Sequence, residues 1–354
     1  MFSNIMNDHA KNDVTSGTSA SGRIRSVRVR HLIMTVVAGM AMAAIPAFAC
    51  DLNPPKSVVG TFQWPATSVM APMINGETAA PGAENRKEFH FTLNTDSSLV
   101  LSNRFGNISV KPSTGRQVVI IAVIQGNKDQ VEVDGHQHPN GKRIEVETHM
   151  VSGAPNTTRV DYEVYMPVDA ALTVECSSGE VRVEGIKGAI NIETETAPVV
   201  VRNIQNGQRV HVQTVDGMVN LNGLKSTNVE VTSIGGNVEL YGVTGRNVDV
   251  MSTSGTIRYT GNFTQPDGQF GQYKFHNHTG NIDVLIPSDA SVEINAKSRK
   301  GSVENDFPLD PAFSHFGARF SSKSSGSSLV GTRNRGDSKI DLRSFSGKIR
   351  VKKQ

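Results

Sequence analysis

The sequence has little of what organises most enzymes and membrane proteins. Cysteine occurs only at Cys50 and Cys176, which leaves room for at most one disulfide. Aromatic residues make up 6% of the 354 residues and charged residues 19%. Outside residues 32–49 no apolar run is long enough to span a bilayer, so a multipass membrane protein is excluded. There is no Gly-rich phosphate loop, no Cys-x-x-Cys pair and no Gly-x-Ser-x-Gly elbow. No amphipathic helical pattern follows residue 49, and no motif implies a cofactor. What the chain does have is 37% hydrophobic residues at low charge, which excludes a wholly disordered protein. Its length suffices for one large domain or two ordinary ones.

Residues 1–49 read as an export signal. Arg23, Arg25, Arg28 and Arg30 precede the apolar stretch Leu32 to Ala44, then Pro46 and the small-residue site Ala47-Phe48-Ala49. The polar stretch Met1 to Gly22 is long for such a signal, which points to a start further downstream; the other reading is an uncleaved membrane anchor. Cleavage changes the charge balance. The full chain carries 36 Lys and Arg against 33 Asp and Glu, but the chain from residue 50 carries 31 of each. The basic balance therefore belongs to the removed segment and argues for no polyanionic partner, and no nucleic-acid partner is expected. Charge remains uneven: residues 315–354 hold ten bases and two acids, leaving residues 50–314 at −8. Either this basic end packs beside acidic coils of its own domain, or it forms a patch for anionic lipid or lipopolysaccharide headgroups. Cys50 directly follows the cleavage site. It becomes either an acylated lipoprotein terminus, which would bring the chain to a membrane, or an unlipidated residue able to pair with Cys176.

Internal repetition dominates the rest. Gly179, Gly217, Gly236 and Gly255 are spaced by 38, 19 and 19 residues, with Pro198 in the intervening slot. Val181, Val200, Val219, Val238 and Ile257 keep the same beat, as do Val210, Val229 and Val248. Each unit reads strand, turn, strand, turn. Gly236-Asn237-Val238-Glu239-Leu240-Tyr241 alternates polar and apolar, the signature of a half-buried strand. Gly242-Val243-Thr244-Gly245 is a turn, and Asn247-Val248-Asp249-Val250-Met251 alternates again. Such a unit cannot bury its apolar face alone; stacked, its Val, Ile and Leu form internal ladders. The expected fold is all-β: a parallel β-solenoid, or β-helix, of ~19-residue two-strand coils with an antiparallel N-terminal β portion. The expected divisions are a signal at 1–49, a Pro/Ala/Gly-rich linker at 50–87, an N-terminal β portion at 88–170 and solenoid repeats at 171–354. A loop enters at 306–331. The alternating runs 130–134, 142–150 and 158–166 suggest an antiparallel meander capping one end.

Several stretches together resemble the putative-adhesin family, exported bacterial proteins of unknown function built from β-strand repeats. They are Tyr165-Met166-Pro167 leading into Leu172-Thr173-Val174, then Ser177-Ser178-Gly179-Glu180-Val181-Arg182-Val183-Glu184-Gly185, and the closing Ile340-Asp341-Leu342-Arg343-Ser344-Phe345-Ser346-Gly347-Lys348-Ile349-Arg350-Val351. The resemblance covers roughly residues 88–354. It implies a β-helical fold and an envelope location, and it supplies no catalytic residues.

The repeat predicts which outward side chains stack on successive coils. One column reads Asn191, His211, Glu230, Asp249, Lys274, Glu293; the other reads Arg182, Val201, Asn220, Glu239, Arg258, Asp283, Glu304. His211, Glu230 and Asp249 form the most chemically suggestive group, able to hold a divalent cation or present an acid–base pair. Mixed charges also suit the outside of any soluble solenoid. The pairs His136/His138 and His276/His278 have metal-compatible spacing but no third ligand nearby in sequence. Val199-Val200-Val201 breaks the alternation and marks either an apolar contact spot or a place covered by a loop. The expected role is a non-catalytic, exported adhesin or scaffold in the periplasm or at the cell surface. Its partner would be an envelope polysaccharide, lipid or protein. The rivals are a carbohydrate-active β-helix enzyme and a lipid- or lipopolysaccharide-contacting protein using the basic C-terminal end.

Overall fold

The computed structural model describes residues 85–94, 96–151, 157–263, 270–311 and 327–354. The expected export signal, Cys50, the expected linker up to residue 84 and residues 312–326 of the expected loop lie outside these.

Strand follows strand because β-branched residues alternate with polar ones. In β15 (Val238–Tyr241), Val238 and Leu240 are fully buried while Glu239 and Tyr241 stay partly exposed. The chain begins with β1 (Arg86–Thr92), the coil β2 (Ser98–Phe105) and β3 (Ile108–Ser113), then β4 (Gln117–Gln125) and β5 (Val131–Gln137). Coils follow as β6 (Arg143–Met150) with β7 (Arg159–Pro167), β8 (Ala171–Ser178) with β9 (Val181–Glu184), and β10 (Ile190–Thr194) with β11 (Val199–Arg202). Next come β12 (Gly207–Thr214) with β13 (Val219–Asn222), β14 (Ser226–Ser233) with β15, and β16 (Asn247–Ser252) with β17 (Ile257–Thr260). The last are β18 (Gln272–Asn277) with β19 (Ile282–Ile286), β20 (Val292–Ser298) with β21 (Val303–Asn305), the short β22 (Asp310–Pro311) and β23 (Ser327–Arg333), and β24 (Ser338–Ser344) with β25 (Ile349–Lys353).

Each coil gives its first strand to a 13-stranded sheet and its second to a 12-stranded sheet. The coils stack in parallel register, so Val212, Val231, Val250 and Phe275 form one continuous buried ladder. Full burial of each such side chain contributes about 1.5–3 kcal/mol. The interior holds an aromatic cluster of Tyr259, Phe263, Tyr273 and Phe275, with contacting ring centroids 4.8–5.7 Å apart. The Tyr259 hydroxyl donates to the Val243 carbonyl at 2.6 Å, satisfying its buried polar end.

The repeat length is set at one corner. At or near the end of nine strands of the 13-stranded sheet stands a small buried polar side chain: Asn103, Cys176, Thr194, Thr214, Ser233, Ser252, Asn277, Ser344 and Ser298 lie in register. Three residues later the chain turns, and the two positions bond. Gly217 N donates to Thr214 Oγ1 at 2.9 Å, Ser233 Oγ donates to the Gly236 carbonyl at 2.9 Å, and Gly347 N donates to Ser344 Oγ at 2.8 Å. The turn residue is glycine because neighbouring coils meet there backbone to backbone. A Cβ on Gly236 would lie 2.0 Å from the Gly217 carbonyl oxygen, and one on Gly255 2.0 Å from that of Gly236. A small polar side chain, two free positions and a small turn residue, most often glycine, thus recur from coil to coil.

Four expectations change. Ala197, not Pro198, fills the missing glycine slot, since Thr194 Oγ1 donates to the Ala197 carbonyl. The following strand shifts by one: Val199 and Val201 enter the core in register with Val181 and Val183, and Val200 faces outward, 8% exposed. Val200 therefore replaces Val201 in its column. Three consecutive valines carry no parity, and a one-residue slip reverses every face. Second, the coils do not stack in chain order. β24–β25 sits between β18–β19 and β20–β21, and β6–β7 lies outside β2–β3. Asp341 and Asn295 thus follow Lys274 in its column, in place of Glu293, and Arg350 separates Asp283 from Glu304. Because every coil carries the same motif, the motif cannot encode the order. Third, residues 130–166 form no single meander. β5 and β6 pair as a hairpin at the end of the 13-stranded sheet, while β7 pairs antiparallel with β4, and β4 antiparallel with β1, in the other. Fourth, the expected loop at 306–331 contributes strands: β22 and β23 run antiparallel and cover β20.

Candidate functional site

The outer face of the 13-stranded sheet gathers the chemistry. Counting back one residue from each corner side chain gives an outward-facing row across the stack: Glu147, Ser102, Glu175, Glu193, Gln213, Thr232, Met251, His276, Arg343, Lys297. Counting forward one gives a corner row: Glu195, Val215, Ile234, Thr253, His278, Phe345, Arg299, each linked to the next coil through backbone hydrogen bonds. Both rows pass from acidic through apolar to basic. Ile234 and Met251 are 45% and 49% exposed, unusual for large apolar side chains placed this regularly.

Where the apolar and basic parts meet lies an open groove of about 440 Å³, lined by Ile234, Met251, His276, His278, Arg343 and Phe345. The rings of His278 and Phe345 stack at 4.7 Å, and Arg299 and Lys300 sit 5.5 and 4.9 Å from the Phe345 centroid. His276 Nε2 is buried without a hydrogen-bond partner. Of the basic C-terminal residues, Arg350 binds Asp283 through both carboxylate oxygens, Lys348 reaches Glu304 at 2.7 Å, and Arg343 bonds its neighbour Asp341 at 2.7 Å. Much of that charge is thus matched within the domain.

His211, Glu230 and Asp249 occupy adjacent strands in direct register. Glu230 Oε2 accepts from Arg209 at 2.6 Å and lies 3.1 Å from His211 Nδ1, without hydrogen-bond alignment to the ring. The Arg209 bond holds the Glu230 carboxyl below its ordinary range, with His211 adding to it against desolvation. Asp249 Oδ1 is buried and unpaired.

The other pair, His136/His138, meets a third group that the sequence conceals. Antiparallel pairing of β5 with β6 sets Glu145 directly across from His136. Glu145 Oε2 lies 3.5 Å from His136 Nε2 and 3.2 Å from His138 Nε2, and Arg143 Nη2 donates to Oε1 at 3.0 Å. Desolvation pushes the Glu145 carboxyl upward, but its bonds to His138 and Arg143 win and lower it. Among the described residues, only His136, His138 and Glu145 bring three possible metal-ligand atoms within 4.8 Å of one another.

Cys176 belongs to the buried row that includes Thr194 and Thr214, 4% exposed, its Sγ pointing at the Ser178 and Gly106 carbonyls. Burial raises its thiol to about 11. Among the described residues no helix is long and apolar enough to cross a membrane.

Residues 97–352 match the Toastrack DUF4097 family. No curated protein matches the chain. Among solved structures, a putative adhesin from Bacteroides fragilis NCTC 9343 is 12% identical, with 77% of this chain and 99% of that one covered at a TM-score of 0.38. A putative cell adhesion protein from Clostridium sporogenes ATCC 15579 is 11% identical, with 76% and 100% covered at a TM-score of 0.28. A putative lipid binding protein from Parabacteroides distasonis ATCC 8503 is 10% identical, with 76% and 98% covered at a TM-score of 0.32.

Proposed function

The chain belongs to the Toastrack DUF4097 family, and from that premise we propose that it is a non-catalytic, exported scaffold of the cell envelope that binds an acidic polysaccharide. The binding face is the outer side of the 13-stranded sheet. One observation carries this reading: the ladder that runs from Ile234 and Met251 to His278, Phe345, Arg343 and Arg299. Its apolar part offers a floor for the flat faces of sugar rings. Its Arg299, Lys300 and Arg343 side chains offer positive charge and further N–H donors to carboxylate, sulfate or phosphate substituents. Coil spacing of about 4.8 Å repeats such contacts along a polymer, so many weak contacts add up without a deep pocket. Export is supported by the Arg-rich start, the apolar run and the Ala47-Phe48-Ala49 site.

The reading is tested by calorimetric titration with acidic glycans purified from the native envelope. Phe345→Ala and Arg343→Ala should each weaken binding about tenfold, or about 1.4 kcal/mol, while Arg182→Ala on the opposite sheet leaves it unchanged. Raised salt should weaken it as well. Release of new reducing ends would replace this reading with the carbohydrate-active one. Binding to intact but not deacylated lipopolysaccharide would replace it with lipid contact.

A further inference from the structure

We propose that the outward face of the β5–β6 hairpin binds a single divalent transition-metal ion of the zinc class through His136, His138 and Glu145. The backbone places the ligands. His136 and His138 are two residues apart on an extended segment, so both imidazoles fall on one face. The ladder continues past β5, with His138 N donating to the Arg143 carbonyl at 2.9 Å, which holds the second ring opposite the partner strand. Register then brings Glu145 across from His136.

The spacing fits a tetrahedral ion. With ligand bonds of about 2.0–2.2 Å, two ligand atoms on one tetrahedral ion stand roughly 3.4 Å apart. Glu145 Oε2 stands 3.5 and 3.2 Å from the two Nε2 atoms. Arg143 occupies the other carboxylate oxygen, so Glu145 presents one oxygen in a fixed direction; Arg143 is a positioning residue. Two imidazoles and one carboxylate suit Zn²⁺, Cu²⁺ or Ni²⁺ and not Ca²⁺ or Mg²⁺, which take oxygen ligands. His136 and His138 side chains are 57% and 42% exposed, so the fourth position faces solvent and takes water. Asp134, Glu147 and Glu175 on the same face add a field that favours cations. Bound metal would clip the outermost strand of the 13-stranded sheet to its neighbour.

The test is competition for Zn²⁺ between the purified chain and a colorimetric chelator at pH 7.5. One site per chain is expected, weakened about tenfold or more by His136→Ala and by His138→Ala, and retained in His278→Ala. Ca²⁺ and Mg²⁺ should not displace the zinc. Zinc should also raise the thermal midpoint of the wild-type chain but not of the His136→Ala/His138→Ala double variant. Equal midpoints of the two proteins in EDTA would show that the variant is folded. Absence of competition, or the same stoichiometry and affinity in the double variant, would overturn the proposal.

Discussion

A single methyl group added to Gly236 would collide with the Gly217 carbonyl oxygen at 2.0 Å, and the backbone of the next coil cannot yield to it. Gly223 differs: its nearest neighbour would be Asn203 Oδ1 at 3.7 Å, and its constraint is φ +64°. Gly236→Ala should therefore destabilise by about 1–3 kcal/mol through overpacking, and Gly223→Ala by about 1 kcal/mol through backbone strain, measured as denaturant midpoints. Cys176 gives a second check. With its thiol raised to about 11 by burial, it should resist a thiol reagent at pH 8 in a native Cys50→Ser variant and react fully once unfolded. Glu175 gives a third, with a pH sign. Desolvation first, then Glu193, Glu147 and Glu145, raise its carboxyl above the ordinary range. Ionising it therefore disfavours the folded state. Its contribution is fully present below the unfolded pKa and is lost as pH rises through the folded one. Glu175→Gln should stabilise the protein near pH 7, by about 0.2–0.5 kcal/mol after solvent screening of this exposed group, and change little near pH 3. At this scale the sequence displays the glycines and the beat plainly. It hides why they are needed, because the clash is with a different coil.

The strands and their two-per-coil rhythm are legible from alternation alone, since each half-buried strand needs only its own residues to declare its faces. Their order is not. β24–β25 carries the same Ser-x-x-Gly corner, at Ser344 and Gly347, as the coils with Ser233, Ser252 and Ser298, and nothing local says that it inserts between β18–β19 and β20–β21. That insertion has a consequence for stability. A chain ending after Arg333 would leave two coils facing an empty layer, with Phe275, Leu285 and Ile294 deprived of neighbours on that side. Residues 272–311 should then lose hydrogen-exchange protection as a block, while β8 to β17 keep theirs, as expected for nearest-neighbour stacking. Retained protection across 272–311 would show that the last coil is dispensable.

Across the whole molecule, charge separates: acidic Glu147, Glu175 and Glu193 lie towards one end of the long sheet, and Arg343, Lys297 and Arg299 towards the other. The basic C-terminal bias visible in the sequence foreshadows this, although Asp283, Glu304 and Asp341 match part of it. The groove itself was not legible. Ile234 and Phe345 look like ordinary turn residues until the corner register shows that they lie on one row, with His278 beside Phe345. The third partner of His136 and His138 was hidden for the same reason, because Glu145 reaches them only through strand pairing. The central claim is that this corner is the binding face. Hydroxyl-radical footprinting of the full chain with and without acidic envelope glycan tests it most directly. Met251, His278 and Phe345 should lose reactivity on binding, while Met218, 46% exposed outside the groove, keeps its own. Protection of Met218 with none at Met251 and Phe345 would contradict the account.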